Sequence, residues 1–168
     1  VRQDTIPQAA VGVGAGLEDA ILLAARAHRG QKDKAGAPYI LHPLRVMAAM
    51  KTDRGRMAAI LHDVVEDCGI SLRKLTGLGF PARVVAAVDR LTKREGQSYE
   101  AFIARAGSDP LARRVKLADL ADNMDLSRIT RPGPRDFARI ERYRRAWKAL
   151  AGPAKKRSSR RKPCRTGC

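Results

Sequence analysis

Small and aliphatic residues recur at spacings of three and four along most of this chain, and this pattern constrains the fold more than any other feature. The segment LEDAILLAARA, which starts at Leu17, is typical, and its spacing is that of an amphipathic helix. No alternating apolar segments joined by hairpin turns are found. Because aromatic residues make up only 4% of the chain, the core must consist mainly of Ala, Val, Leu and Ile. The sequence therefore predicts an all-α fold.

Capping residues and helix breakers divide the chain into about seven or eight helices. Ser71 and Ser98 are typical N-caps, and Asp109 precedes a proline suited to a first helical turn. The predicted helices start near Leu17, Pro43, residue 55, Ser71, Pro81, Ser98, Pro110 and residue 136. The third of them is expected to span residues 55–67 and to end before Gly69. The expected architecture is a compact helical bundle.

The length of 168 residues fits one domain. We expect a flexible N-terminal segment over residues 1–16, a helical domain over 17–150 and a disordered basic tail over 151–168. No apolar run approaches the roughly 18 residues of a membrane span, and no secretory signal is recognised. The three cysteines are an odd number, and two of them lie in the last five residues. A disulfide framework is therefore not indicated, and a cytoplasmic location is expected.

The chain is strongly basic, with a formal net charge of +17. Residues 152–168 carry seven of the 34 Lys and Arg residues and no acid, so the rest of the chain still has a net charge of +10. A basic domain suits an anionic partner such as a nucleotide or nucleic acid. The tail has two interpretations, a solvated extension or a segment that contacts RNA or another polyanion non-specifically.

The segment LHDVVEDC, residues 61–68, carries more ionisable groups than a packing helix needs. His62 and Asp63 are adjacent, and an imidazole and a carboxylate together suit a divalent ion such as Mn²⁺, Fe²⁺ or Zn²⁺. Asp119 lies between Ala118 and Leu120, where a carboxylate is costly to bury unless it is paired or binds a metal. Together with His42, these residues form an H…HD…D pattern of candidate metal ligands.

Further polar side chains lie one helical turn beyond these candidates. Glu66 and Asp67 follow His62 and Asp63 by four residues, so on a continuous helix they share the same faces. This spacing predicts that they orient a metal-associated water or take its proton. Asn123 follows Asp119 by four residues in the same way.

Each of these residues also has a purely structural interpretation. The His-Asp pair is compatible with a surface pair, and Glu66 and Asp67 are compatible with a solvated helix face. Asp119, Asp122 and Asp125 are compatible with an exposed acidic stripe. These interpretations lose force when all of the residues must be explained together.

Four segments in order resemble the motifs of the HD-domain (p)ppGpp hydrolases, the hydrolase half of the RelA/SpoT homologues and the stand-alone small alarmone hydrolases. The segments are AHRGQKDKAGAPYILHP, AAILHDVVEDC, VDRLTK and VKLADLADNM. The resemblance covers about residues 17–150 and implies the HD helical fold. It also implies hydrolysis of ppGpp at the 3′-pyrophosphate, which yields pyrophosphate and GDP.

The resemblance assigns roles to individual residues. It implies Mn²⁺, with another divalent ion possible, and it implies that Glu66 and Asp67 handle the nucleophilic water. The implied metal ligands are His42, His62, Asp63 and Asp119, and the implied substrate-binding residues are Lys34, Asn123, Arg139 and Tyr143.

Two departures from the family pattern affect the substrate side. Asp33 stands where the family usually has an arginine, and an acid there would weaken the binding of a guanosine polyphosphate. The residues after Asn123, Met124 to Ser127, also differ from the usual pattern. The alternatives are therefore a phosphatase of another nucleotide or of NADPH, and a non-catalytic module that binds polyanions.

Overall fold

The structure is a computed structural model that describes residues 14–127 and 131–152, and these residues form nine helical segments. The extended backbone within these ranges is limited to one isolated antiparallel bridge between Lys32 and Pro38. The prediction of an all-α fold is therefore confirmed. The segments are α1 Leu17–Ala27, α2 Leu41–Ala48, α3 Asp53–Ile60, α4 Val64–Cys68, α5 Leu72–Gly77, α6 Ala82–Leu91, α7 Tyr99–Gly107, α8 Pro110–Met124 and α9 Pro134–Ala151.

Helix α3 lies at the centre of the bundle and packs against α1, α2, α6 and α8. Its last residues, from Ala58 to Ile60, and the following Leu61 are fully buried. Two alanines in this run allow the neighbouring helices to approach closely. A second apolar cluster of Phe102, Leu120 and Leu150 joins α7, α8 and α9. The α3–α8 contact brings the end of α3 close to the middle of α8, which positions the site described below.

The predicted caps are confirmed. The side chain of Ser71 accepts a hydrogen bond from the backbone N–H of Lys74, and Ser98 caps α7 in the same way. Asp109 accepts hydrogen bonds from the first turn of α8, with Pro110 as the first helical residue. These caps satisfy backbone donors that a helix start leaves without intrahelical partners.

The prediction of one continuous helix over residues 55–67 is wrong. Helix α3 ends at Ile60, a turn covers residues 61–63, and α4 starts at Val64. The imidazole of His62 supplies a local reason, because its Nδ1 lies 2.7 Å from the carbonyl oxygen of Ala59. This side-chain hydrogen bond competes with the helical backbone bond that the carbonyl would otherwise accept. Gly69, at a φ of +66°, ends α4 as predicted.

The second predicted helix, from Pro43 to about Thr52, also has different bounds. Helix α2 starts two residues earlier, at Leu41, and ends at Ala48. Thr52 instead caps α3 by accepting a hydrogen bond from the backbone N–H of Gly55.

The proposed end segments lie largely outside the described residues. Of the predicted flexible segment 1–16, only residues 14–16 are described. Ala15 is buried there and donates a backbone hydrogen bond of 3.0 Å to Gly79. Most of the predicted disordered tail, residues 153–168, is likewise not described. Among the described helices, none has the length and apolar character needed to cross a membrane.

Candidate metal centre and active-site cleft

The turn over residues 61–63 fixes the orientation of His62. The ring is 2% exposed, and its Nδ1 donates to the carbonyl of Ala59. The other ring nitrogen, Nε2, is buried and has no hydrogen-bond partner of acceptable geometry. A buried nitrogen without a hydrogen bond is costly. Nε2 faces the carboxylates of Asp63 and Asp119 at the centre of the site.

His42 is fixed in a similar way near the start of α2. Its Nδ1 lies 2.7 Å from a carboxylate oxygen of Asp122 in α8, and this carboxylate also accepts a 2.6 Å hydrogen bond from Nε of Arg45. Metal-binding histidines commonly donate their second ring N–H to a carboxylate or carbonyl, which selects the tautomer. Nε2 of His42 therefore remains available on the same side as Nε2 of His62.

Two carboxylates complete the cluster. Oδ1 of Asp119 lies 3.2 Å from Nε2 of His42 and 3.6 Å from Nε2 of His62. Oδ2 of Asp63 lies 3.0 Å from Nε2 of His62 and 3.7 Å from Nε2 of His42. Ligand atoms bound about 2.1 Å from a common ion lie roughly 3–3.5 Å from each other. Each carboxylate thus lies from the two histidines at distances close to those that a shared divalent ion requires.

The donor set supports the same conclusion. Ligand atoms of His42, His62 and Asp119 all lie within 4.8 Å of one another, and all three residues are buried. Two imidazoles and two carboxylates suit Zn²⁺, Fe²⁺ or Mn²⁺ better than Ca²⁺, which prefers oxygen ligands alone. Burial lowers the pKa of His62, but the nearby carboxylates of Asp63 and Asp119 outweigh it and raise that pKa to about 10. The same negative charges attract a cation.

Asp119 is held from both sides within α8. Nζ of Lys116 lies 2.8 Å from Oδ2, while the Asn123 amide donates a 2.6 Å hydrogen bond to Oδ1. Burial alone would raise the pKa of Asp119. The Lys116 ammonium and the two histidines nevertheless hold it well below its usual range. The carboxylate is therefore ionised and oriented with Oδ1 toward the histidines.

Tyr39 joins two acidic residues at the mouth of the site. Its hydroxyl donates a 2.7 Å hydrogen bond to Asp63 and lies 3.4 Å from Asp67. Burial and the Asp63 charge raise the pKa of Tyr39 well above its usual value, so the phenol stays protonated. Burial, Asp63 and Glu66 in turn raise the pKa of Asp67. Asp67 is therefore more readily protonated than an ordinary aspartate.

Glu66 is exposed and faces the same space as the metal cluster. One oxygen, Oε2, accepts a 2.9 Å hydrogen bond from the backbone N–H of Lys93, in the loop after α6. This contact fixes one oxygen of the carboxylate. Glu66 lines the cavity over the cluster, whereas Asp67 lies outside that lining and contacts it through Tyr39.

Two adjoining cavities open over the cluster. The inner cavity, of about 340 Å³, contains Asp63, Asp119, Glu66 and Lys116 in its lining. The outer cavity, of about 390 Å³, is lined by Lys32, Asp33, Lys34, Ala35, Tyr39, His42, Asn123, Asp125, Arg139, Arg142 and Tyr143. The two share five lining residues, namely Tyr39, His42, Asn123, Arg142 and Tyr143. They form one cleft with a metal-ligand end and a cationic end.

The four residues expected to bind substrate all line the outer cavity. Lys34 comes from the loop before α2, Asn123 from α8, and Arg139 and Tyr143 from α9. His28 lines neither cavity; it is buried at 2% exposure, and its Nδ1 lies 2.8 Å from the Gln31 side chain.

Asp33 has a local structural role that was not expected. Its Oδ1 accepts hydrogen bonds of 2.9 and 3.0 Å from the backbone N–H groups of Ala35 and Ala37. An aspartate that bonds the backbone just ahead of it stabilises a tight turn. The carboxylate therefore shapes the loop that carries Lys34, and these donors partly offset its charge.

Three residues of the site were missed in the sequence. Tyr39 and Lys116 contact the candidate ligands Asp63 and Asp119, and Asp122 orients His42. Asp122 follows Asp119 by three residues and so shares its helix face, which was the available signal. Tyr39 offered none, because its partner lies 24 residues away in the sequence.

An all-α domain in which two histidines and two aspartates from three parts of the chain converge below a cationic cleft defines a candidate metal-dependent phosphohydrolase. The chain belongs to the HD domain family, since the model of that family matches residues 20–145. The expected family resemblance is thereby confirmed.

Several relatives carry this domain within longer proteins. The chain is 34% identical over 133 residues to the bifunctional (p)ppGpp synthase/hydrolase SpoT of Escherichia coli K12, covering 71% of this chain and 19% of that protein. It is 30% identical over 131 residues to a guanosine-3′,5′-bis(diphosphate) 3′-pyrophosphohydrolase of Vibrio cholerae, covering 69% and 18%. The chain thus spans less than a fifth of the length of these relatives.

A solved structure matches over most of both chains. The protein in that matched structure is a metazoan ortholog of SpoT that hydrolyzes ppGpp and plays a role in starvation responses. The match has a TM-score of 0.69 and 25% sequence identity, and it covers 86% of this chain and 90% of the other.

Proposed function

We propose that this chain is a metal-dependent hydrolase that removes the 3′-pyrophosphate of ppGpp, releasing pyrophosphate and GDP, or GTP from pppGpp. The observation that carries the proposal is the cleft itself, with three buried donor residues within 4.8 Å at one end and lysines and arginines at the other. The activity named for the relatives agrees with such a cleft. This activity would serve alarmone turnover in the stringent response.

His42, His62, Asp63 and Asp119 would hold the ion, which we propose is Mn²⁺. When bound, a divalent ion lowers the pKa of a water and offsets negative charge on a phosphoryl group. The hydrogen bonds from His42 to Asp122 and from His62 to Ala59 keep both Nε2 atoms directed to that place.

Glu66 and Asp67 would orient the attacking water and transfer its proton. Glu66 has one carboxylate oxygen fixed by the backbone N–H of Lys93 and lines the inner cavity, so it is suited to orient the water and accept its proton. The water oxygen forms a bond to the phosphorus that is attached to the 3′-oxygen. The bond between that phosphorus and the 3′-oxygen breaks, and pyrophosphate leaves. The 3′-oxygen takes up a proton, for which the raised pKa of Asp67 makes this carboxyl a suitable relay.

The outer cavity would hold the rest of the nucleotide. Lys34 and Arg139 supply positive charge for phosphate groups, and Asn123 supplies an amide for hydrogen bonds near the sugar. Tyr143 offers a ring and a hydroxyl where the two cavities adjoin.

Asp33 favours one alternative substrate class. A carboxylate in the outer cavity opposes a highly charged ligand, so another nucleotide or NADPH is the second candidate. A module that binds polyanions without catalysis is the third.

One assay separates these functions. The purified protein is loaded with Mn²⁺ and offered ppGpp, NADPH, deoxynucleoside triphosphates and a generic phosphodiester, and released pyrophosphate and phosphate are measured. We expect pyrophosphate from ppGpp. Turnover of another nucleotide without pyrophosphate from ppGpp would support the second candidate, and no turnover of any substrate would support the third.

Two variants test the assigned roles. Asp63→Ala should lose both bound metal and turnover. Glu66→Gln should keep its metal content and lose about 100-fold or more in kcat, while Glu95→Gln, at an exposed position in the nearby loop, should match the wild type. Full activity of Glu66→Gln would contradict the role proposed for Glu66.

A further inference from the structure

Arg142 lies at the junction of the two cavities. It is one of the five residues that line both, so its side chain borders the metal-ligand end and the cationic end of the cleft. Neither the family resemblance nor the reaction described above gives this arginine a role.

Aromatic rings hold the Arg142 guanidinium in place. Its central carbon lies 5.0 Å from the ring centre of Tyr99 and 5.5 Å from that of Tyr143. Such cation–π contacts stabilise the position of the cation without neutralising its charge. Among residues 14–127 and 131–152, no carboxylate forms an ion pair with Arg142. Its hydrogen-bonding edge is therefore suited to an anionic ligand.

Arg139, three residues earlier on α9, faces the outer cavity as well. Its side chain is 15% exposed, and its Nη2 pairs with Asp136 at 3.2 Å. Two other nitrogens, Nε and Nη1, are buried without a hydrogen-bond partner. Buried donors without partners are costly, so an anion that accepts from Arg139 would relieve this cost.

The balance of charge in the outer cavity also favours an anion. Its lining contains Lys32, Lys34, Arg139 and Arg142 against Asp33 and Asp125. One oxygen of Asp33 already accepts two backbone hydrogen bonds. The formal charge of the outer-cavity lining is thus positive.

We propose that Arg142 is a specificity residue that binds a second phosphate group of the substrate, beyond the phosphate that is hydrolysed. This inference rests on the proposed function. Arg142 would compensate for Asp33, and it would make the enzyme select nucleotides that carry phosphates at both ends of the cleft. A planar guanidinium is suited to this task because it binds phosphate oxygens in a bidentate manner.

The test compares Arg142→Gln with Arg145→Gln, a matched change at an exposed position on the same helix that lines neither cavity. With ppGpp, Arg142→Gln should raise KM about 10- to 100-fold, the effect of losing a charge-assisted hydrogen bond. Its kcat should stay within about threefold, because a remote phosphate is bound equally in the ground and transition states. Arg145→Gln should match the wild type in both constants.

A binding measurement keeps this inference separate from the proposed function. Calorimetric titration of GDP and of inorganic pyrophosphate into metal-free protein reports anion binding whichever nucleotide is hydrolysed. Arg142→Gln should weaken GDP binding about tenfold or more, and Arg142→Lys should restore part of it. Equal GDP affinities of Arg142→Gln and wild type, or no binding of either probe by the wild type, would overturn the inference. Failure to hydrolyse ppGpp would overturn only the proposed function.

Discussion

At the scale of single residues, the site depends on charges that are buried and paired. Lys116 and Asp119 are 13% and 6% exposed in their side chains and 2.8 Å apart. The ammonium also lies 4.8 Å from the ring centre of Phe102. Without a metal ion, Lys116 is the cation nearest to Oδ2 of Asp119, and it thereby offsets much of the cost of burying that carboxylate. A divalent ion would add a second source of positive charge on the Oδ1 side.

This arrangement predicts that the stability of a Lys116→Met variant depends on metal. In the presence of a chelator, the variant should lose about 3 kcal/mol of unfolding free energy, because breaking a buried pair leaves an uncompensated charge. Saturating Mn²⁺ should recover a large part of this loss, so the metal-induced rise in Tm should exceed that of the wild type. Thermal unfolding with and without Mn²⁺ measures both values.

Lys93→Met serves as the control, since Lys93 lines the inner cavity but is exposed and contacts Glu66 only through its backbone. Its Tm should stay close to that of the wild type under both conditions. If Lys116→Met loses the same stability with and without metal, the ion does not offset the negative charge of Asp119 that Lys116 neutralises.

At the scale of elements, two local devices place the ligands. The turn over residues 61–63 lets His62 and Asp63 point to one place, which adjacent residues on a regular helix, about 100° apart, do less readily. Helix α8 presents Asp119, Asp122 and Asn123 on one face. Its start is fixed by Asp109, which accepts hydrogen bonds from Leu111 and Ala112 and pairs with both terminal nitrogens of Arg83.

Removing this cap should destabilise the domain. We expect Asp109→Ala to lose about 1–2 kcal/mol at neutral pH, measured by urea unfolding. Asp53→Ala provides the control, because Asp53 is 72% exposed and its pair with Arg56 contributes about 0.5 kcal/mol or less.

The effect of Asp109 should also depend on pH. Although burial opposes it, the Arg83 hydrogen bond and the backbone donors lower the pKa of Asp109 in the native state. Its stabilisation is therefore complete above the unfolded pKa of about 3.9 and is lost as pH falls through the lower native pKa. The difference between wild type and Asp109→Ala should shrink in acid, and a difference that stays constant would contradict this linkage.

At the scale of the whole molecule, positive charge is distributed unevenly between the domain and its tail. Residues 153–168 lie outside the described part of the chain, and they contain seven of its 34 Lys and Arg residues. The end of α9 is fixed before them, since Arg113 donates to the carbonyl groups of Leu150 and Gly152. The residues proposed for catalysis all precede this point.

Truncation after Gly152 should therefore leave kcat, KM and Tm unchanged, while reducing the net charge from +17 to +10. If the tail contacts polyanions, the truncated protein should bind a single-stranded RNA more weakly and with a smaller dependence on salt. Fluorescence anisotropy at several salt concentrations measures both. Equal RNA binding by the two proteins would assign any polyanion contact to the domain. Loss of hydrolysis in the truncated protein would contradict the prediction that the tail lies outside the active site.

The sequence by itself determined the helical class, the capped starts of α5, α7 and α8 and the candidate ligands. Helical periodicity and capping are properties of short stretches of sequence. An acid among apolar residues, such as Asp119, likewise indicates a buried carboxylate that needs a partner. The structure brings these ligands together, while their binding of metal stays a prediction. Only the tertiary structure decided the break at residues 61–63, the pairing of Asp122 with His42 across 80 residues and the place of Arg142 between two cavities. The pairing of Asp122 with His42 and the place of Arg142 depend on contacts between distant segments, which no local pattern encodes. The break depends on the side-chain bond of His62 to Ala59, which competes with the helical backbone bond.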